Sequence, residues 1–220
     1  MSSDSHKIAL LSSAYLAPIQ YFVKLTNYGN AWIEQEENYL KQSYRNRCII
    51  LAANGPLVLS IPVTNGPSAK APMKELRLSY HHHWQRMHWR SIVSAYNNSP
   101  FFEYYADDLY PFYHAQRWKF LIDYNTELQQ VILDLLRLKP SISFTHQYFI
   151  ENNTPDHIVD FRYSIHPKTI KNQPDPCFTA QPYNQVFQEK FGFVPNLSII
   201  DLLFNEGPSA GEILGNCMSK

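Results

Sequence analysis

The chain has 220 residues, with 19 Lys plus Arg against 19 Asp plus Glu and a formal net charge of zero, so no global field exists to capture nucleic acid or an anionic membrane surface. That length suits one domain spanning 1–220 with a sizeable core. Its cysteines, Cys48, Cys177 and Cys217, are odd in number, far apart and without CxxC spacing, which argues against a disulfide framework or a zinc site.

The N-terminus lacks a charged stretch followed by a long apolar one, so no signal peptide is read there, and no apolar run approaches the ~20 residues of a membrane span. A cytoplasmic protein without a membrane span is expected. Lys7 to Leu11 reads as a buried strand. Pro18 suits the first turn of a helix, and Ile19, Phe22 and Val23 recur at helical spacing until Asn27 and Gly29 stop it. Ala31 to Gln35 reads as a second strand. Strand, helix and strand in this span predict a βαβ unit with a parallel pair. Ligands of such sheets bind beyond the carboxyl ends of the strands, here Ser12–Leu16 and Gln35–Asn38.

Residues 48–63 read as a β-hairpin. Cys48, Ile49, Ile50 and Leu51 form one apolar run, and Leu57, Val58, Leu59 and Ile61 form the other. Asn54-Gly55 is placed to supply both positive-φ positions of a type I′ turn. A hairpin apolar on both faces calls for cover on both sides, so it is expected inside a larger sheet. Just before it, an extended chain would put Lys41, Ser43, Arg45 and Arg47 on one face and Asn46 on the other.

Residues 64–75 form a polar loop that lacks the GxxxxGK[ST] pattern of a phosphate loop. Leu76-Arg-Leu is a candidate short strand. Tyr80 to Tyr96 reads as a helix with Trp84, His88, Ser91, Ile92 and Ala95 on one face. The aromatic run 101–113 predicts a helix ended or kinked by Pro111, its rings assigned to core packing. Thr126-Glu-Leu-Gln resembles a capping box opening a helix to Leu138, and Ile142-Ser-Phe a further strand. Residues 152–176 read as a long irregular loop. Tyr183–Phe187 is expected to begin a helix, and Asn196 to cap another through Phe204. The fold class is therefore α/β: a mixed sheet beginning with a βαβ unit, a central hairpin, and a cover of helices.

Several of these stretches resemble the WbqC-like family. Lys41-Gln-Ser-Tyr-Arg-Asn-Arg-Cys48, followed by Asn54-Gly and Ile61-Pro-Val63, matches its W/Y-R-N-R core and the hairpin after it. Residues 183–208, with Leu197-Ser-Ile-Ile-Asp-Leu-Leu-Phe-Asn-Glu-Gly-Pro, resemble its C-terminal motif. Where relatives carry Q-P-x-Y-L-P-W-x-G-Y-F, this chain has Ser12-Ser-Ala-Tyr-Leu-Ala-Pro-Ile-Gln-Tyr-Phe22, keeping Tyr15, Leu16, Tyr21 and Phe22 but not the leading Gln-Pro, the Pro-Trp pair or the Gly. The resemblance runs from about Ile8 to Leu214. It implies an enzyme of surface-polysaccharide (O-antigen-type) biosynthesis, transferring an amino-acid or acyl group to a nucleotide-linked amino sugar.

The candidate ligand-binding residues are Tyr15, Lys41, Arg45, Asn46, Arg47, Asn205 and Glu206. Guanidinium forks bind carboxylate or phosphate through paired hydrogen bonds, so the expected partner is a small anion such as a nucleotide sugar or an amino acid. The competing reading pairs the arginines with Glu34, Glu36 and Glu37, and Asp201 with Arg45 or Arg47. His88, in a Trp84-x-x-x-His88 match to the family, is the candidate base; a histidine on an apolar face is otherwise structural. His81-His82-His83 point in different directions on a helix, so no metal site is predicted, and no cofactor is assigned. Three other functions stay open, one of them a structural interaction protein in which Arg45 and Arg47 would be consumed by internal carboxylates. A nucleotidyltransferase would also use the first βα turn, although Tyr15-Leu-Ala-Pro stands where its HxGH would be. A non-catalytic nucleotide-sugar or anion-binding protein would need the basic cluster without His88.

Overall fold

A computed structural model describes residues 7–64, 71–150, 153–167 and 175–217. In chain order the strands and helices are β1 (Ile8–Ser12), α1 (Ile19–Tyr28), β2 (Asn30–Glu34), β3 (Arg47–Ala52), β4 (Gly55–Ser60), β5 (Val63–Thr64), β6 (Arg77–Leu78), α2 (Trp84–Tyr96), α3 (Phe102–His114), α4 (Leu121–Leu135), β7 (Ser141–Phe144), β8 (Ile158–Asp160), α5 (Gln188–Phe191), α6 (Ile199–Glu206) and α7 (Ala210–Asn216). The protein is α/β, as its sequence pattern predicts.

The predicted βαβ unit is present. β1 and β2 are parallel neighbours, with Ala9 opposite Ala31 and Leu11 opposite Ile33. Between them α1 follows Pro18 and stops at Gly29, whose φ of +66° is open to glycine without strain. β7 joins β2 and β8 joins β1, both in parallel, giving the order β7-β2-β1-β8. Ala9, Leu10 and Leu11 are fully buried, as expected of a parallel strand covered on both faces.

The hairpin is a correction as well as a confirmation. β3 and β4 pair with Cys48 opposite Leu59 and Ile50 opposite Leu57. They form a two-stranded sheet of their own rather than part of a larger one. One face, with Cys48, Ile50 and Leu59, is buried, and α2 packs on β3. The open edge of β3 is closed by Ser198, whose N–H donates to the Ile49 carbonyl at 2.8 Å. The turn is not type I′. Gly55 alone has positive φ, +108°, and Asn54 does not, so Gly55 acts as the first residue of β4 rather than as a turn centre.

Elsewhere local signals yielded to tertiary ones. α2 begins at Trp84, not Tyr80, because His83 sits in the left-handed region at φ +47°. α3 passes through Pro111 and ends three residues later, with the Ala115 N–H still reaching the Pro111 carbonyl. Thr126 opens nothing: it lies inside α4, and its hydroxyl donates back to the Ile122 carbonyl at 2.7 Å. Residues 183–187 are not helical, and α5 is one turn further on. Asn196 does not cap α6. Its Oδ1 accepts from the Gln20 N–H at 2.9 Å, so it serves the first turn of α1. The long loop contains β8. The N-terminal six residues, 65–70 of the polar loop and 168–174 of the long loop lie outside the described residues.

Candidate functional site

From β1 the chain moves outward to β2, later adds β7 beyond it, and then returns to place β8 on the other side of β1. The strand order therefore switches between β1 and β8. In open parallel sheets, connections diverge at such a point and leave a crevice beyond the carboxyl ends. A cleft opens there. Ser12 and Ser13 line it from the end of β1, Arg162 from the residues after β8, and Tyr44 and Arg45 from the turn before β3. Its free interior is about 10 Å³, room for one oxygen-sized group.

Two arginines are buried against this cleft. Arg45 is 2% exposed, and its Nε and Nη2 donate to the two oxygens of Glu37 at 2.8 and 2.5 Å. Arg162 is 1% exposed; its Nε and Nη2 bind Asp160 at 2.9 and 2.6 Å, and its Nη1 binds Glu34 at 3.1 Å. Glu34 is held in turn by the Thr145 hydroxyl and by the N–H groups of Glu36 and Phe149. A guanidinium has five N–H groups, and the carboxylates engage two nitrogens of Arg45 and all three of Arg162. The surroundings are phenolic: Tyr21 donates to the Ser12 carbonyl at 3.1 Å, and burial followed by the Glu37 charge raises its pKa. Asn125 of α4 ties the two halves together, donating to Ser13 Oγ at 3.0 Å and to the Arg45 carbonyl at 2.9 Å.

The basic segment is not an extended strand before Arg47. It turns, with Gln42 at φ +61°, so the side chains do not alternate as expected and Lys41 is exposed while Arg45 is buried. Asn46 donates to the Ile61 carbonyl at 2.8 Å. The buried Nε of Arg47 has no hydrogen-bond partner among the described residues. Tyr15 and His88 do meet: the Tyr15 hydroxyl lies 3.0 Å from His88 Nδ1 and 3.0 Å from the Tyr113 hydroxyl. His88 also bonds the Ser60 backbone, and its burial lowers its pKa to about 4. A neutral ring that donates to Ser60 accepts at Nδ1, so Tyr15 is the donor. Asn205 and Glu206 lie apart from the basic segment, with Asn205 bonding the Asp201 carbonyl and Glu206 accepting from the Asn184 N–H. Asp201 pairs with neither arginine. Its carboxylate accepts from Tyr96 at 2.8 Å, Tyr183 at 2.5 Å and Gln185 at 2.9 Å.

The first helix offers no phosphate cradle. The Ile19 N–H donates to the Leu197 carbonyl at 3.0 Å and the Gln20 N–H to Asn196, so the donors that bind phosphate at a helix start are already used. Among the described residues no cluster of three or more His, Cys, Asp or Glu side chains comes together to hold a metal. Nor is any helix there long and apolar enough to cross a membrane. Sequence reasoning missed Arg162, Glu34 as its partner, and Asn125. The available signal was Ile158-Val-Asp-Phe-Arg162, a short stretch inside the supposed loop whose apolar residues are interrupted by Asp160 and followed by Arg162.

Fold and cleft together define the class: an α/β protein whose parallel sheet opens at its switch point onto two buried, carboxylate-held arginines. Residues 13–176 and 177–213 match the WbqC-like protein family, and the chain belongs to it. It is also similar to an uncharacterized protein of Mycobacterium tuberculosis (strain ATCC 25618 / H37Rv), Rv1507c, at 23% identity over 228 residues, covering 96% of this chain and 98% of that one. No solved structure matches.

Proposed function

We propose that the protein is a cytoplasmic enzyme of surface-polysaccharide (O-antigen-type) biosynthesis that binds a small anionic substrate in the β1–β8 cleft. In this reading it transfers an amino-acid or acyl group to a nucleotide-linked amino sugar. The observation that carries the anion site is the pair of buried guanidiniums, Arg45 and Arg162, lining one cleft at the switch point. Family membership supports the pathway.

Arg45 is the anion anchor already singled out in the sequence, and Arg162 joins it. Lys41, Asn46 and Arg47 flank Arg45 in sequence, and in this reading the exposed Lys41 and the half-buried Arg47 add positive charge near the anion. Tyr15 and His88 act as positioning residues: the neutral ring accepts from Tyr15 and fixes the loop after β1. Asn205 and Glu206 keep the α6 end in place. Ser12 and Ser13 stand in the cleft lining where the family pattern has Gln-Pro; if that Gln handles ligand in relatives, this chain binds a different anion or does different chemistry.

The test is a thermal-shift and calorimetric screen of amino acids, carboxylates and nucleotide-linked amino sugars, followed by mass analysis of amino sugars incubated with acyl and aminoacyl donors. A ligand that binds only the folded state raises stability as its concentration exceeds Kd, about 2.7 kcal/mol at a hundredfold excess. Arg45→Lys and Arg162→Lys keep the charge but lose the fork, so each should weaken binding with the fold retained. If no anion stabilises the wild type, the arginines serve the fold alone and the proposal fails.

A further inference from the structure

The second apolar face of the hairpin is not absorbed by the core. Ile49, Pro56 and Val58 share it, and Val58 is 47% exposed. Pro167, Val194, Pro195 and Leu197 rise opposite, leaving a groove of about 350 Å³. That lies at the lower end of small-molecule pockets, roughly 300–1,000 Å³. Tyr44 lines both this groove and the arginine cleft, while Arg45 follows it in sequence. The segment after β8 also serves both, Ile165 in the cleft and Pro167 in the groove. The two cavities are thus neighbours across one tyrosine ring.

The chemistry of the groove selects its occupant. Its one amide is Asn196, and that side chain is already engaged, Oδ1 with the Gln20 N–H and Nδ2 with Gln20 Oε1 at 3.2 Å. A sugar or a base lying there would lose hydrogen bonds to water without replacement, which is costly. A hydrocarbon chain loses nothing. The cleft beside it admits one oxygen-sized group between guanidiniums, which fits one oxygen of a carboxylate better than a diphosphate.

We infer that the substrate bound in the cleft is an amphiphile, a carboxylate-headed acyl chain whose tail lies in the groove between the hairpin and residues 194–197. This rests on the anion-site reading above and names the substrate class for it.

The experiment is calorimetric titration of acetate, hexanoate, octanoate, decanoate and octanol into the wild type, Val58→Asp and Val58→Trp, with circular dichroism and sedimentation on each. Val58 is half exposed, so both variants should fold. Affinity should rise about fourfold per added methylene from hexanoate to decanoate in the wild type. Both variants should flatten that dependence, Asp by charge and Trp by filling the groove, and Val58→Trp, which adds no charge, should leave acetate binding unchanged. If acetate binds but chain length adds nothing, this inference is overturned and the anion site stands. If octanol binds as tightly as octanoate, the inference and the anion site fall together. If the wild type is a dimer that Val58→Asp dissociates, and chain length adds nothing, a second copy covers the groove and the inference is wrong.

Discussion

Arg45 shows how much of a site one residue can hide. Its motif marks it in the sequence, but whether its fork meets a ligand or a carboxylate depends on Glu37, eight residues away across a turn. In the structure Glu37 holds one edge of the fork, the carboxylate pairing of the competing reading, and the cleft lies against the same residue. Replacing Arg45 with Ala strands the Glu37 carboxylate, itself 1% exposed. The expected loss is about 3–5 kcal/mol in urea unfolding, and Arg45→Lys should cost clearly less. His88 makes a second test. Its pKa falls from 6.5 to about 4 because burial disfavours the charged ring. Between those values the unfolded chain binds the proton and the folded one does not. Stability from the neutral ring is therefore full above pH 6.5 and is lost as pH falls towards 4, by up to about 3 kcal/mol. His88→Gln should flatten this part of the pH–stability curve relative to the wild type. Equal slopes for the two proteins would mean that the ring titrates normally.

Elements were legible where their pattern was long or their termini were marked. The β1–α1–β2 unit and both hairpin strands follow from apolar runs with Pro18, Gly29 and Gly55 at their bounds. β8, three residues long, has too little sequence of its own to be distinguished from loop, and with it Arg162 went unseen. Asn196 was read as a cap for the next helix because only proximity in sequence was available; its real partner, Gln20, is brought in by the antiparallel bridge between Pro18 and Ser198. α6 was legible as a buried helix, since apolar residues surround it, and Ile199, Ile200, Leu202, Leu203 and Phe204 are fully buried. Leu203→Ala should cost about 2–5 kcal/mol of unfolding free energy. A value below ~1 kcal/mol would mean that the helix does not share the cooperative core. The same helix holds Asp201 under two phenols and an amide, which locks α6 of this chain against Tyr96 and residues 183–185.

The molecule as a whole places two cavities next to each other, sharing Tyr44: the arginine cleft at the mouth of the parallel sheet and the apolar groove. Only the first was foreshadowed by the chain order, through the rule that parallel sheets bind ligands at their carboxyl edge. The second depends on which hairpin face the rest of the chain leaves half covered, and no local pattern encodes that. The central claim is that Arg45 and Arg162 together receive an anion, and side-chain NMR reads it most directly. The Nε–H resonances of the arginines are followed while octanoate is added. The Arg45 and Arg162 signals should shift saturably with one common Kd, while those of exposed Arg86 and Arg90 stay in place. If Arg45 and Arg162 stay unmoved when acetate is added as well as octanoate, the switch-point cleft is not the site.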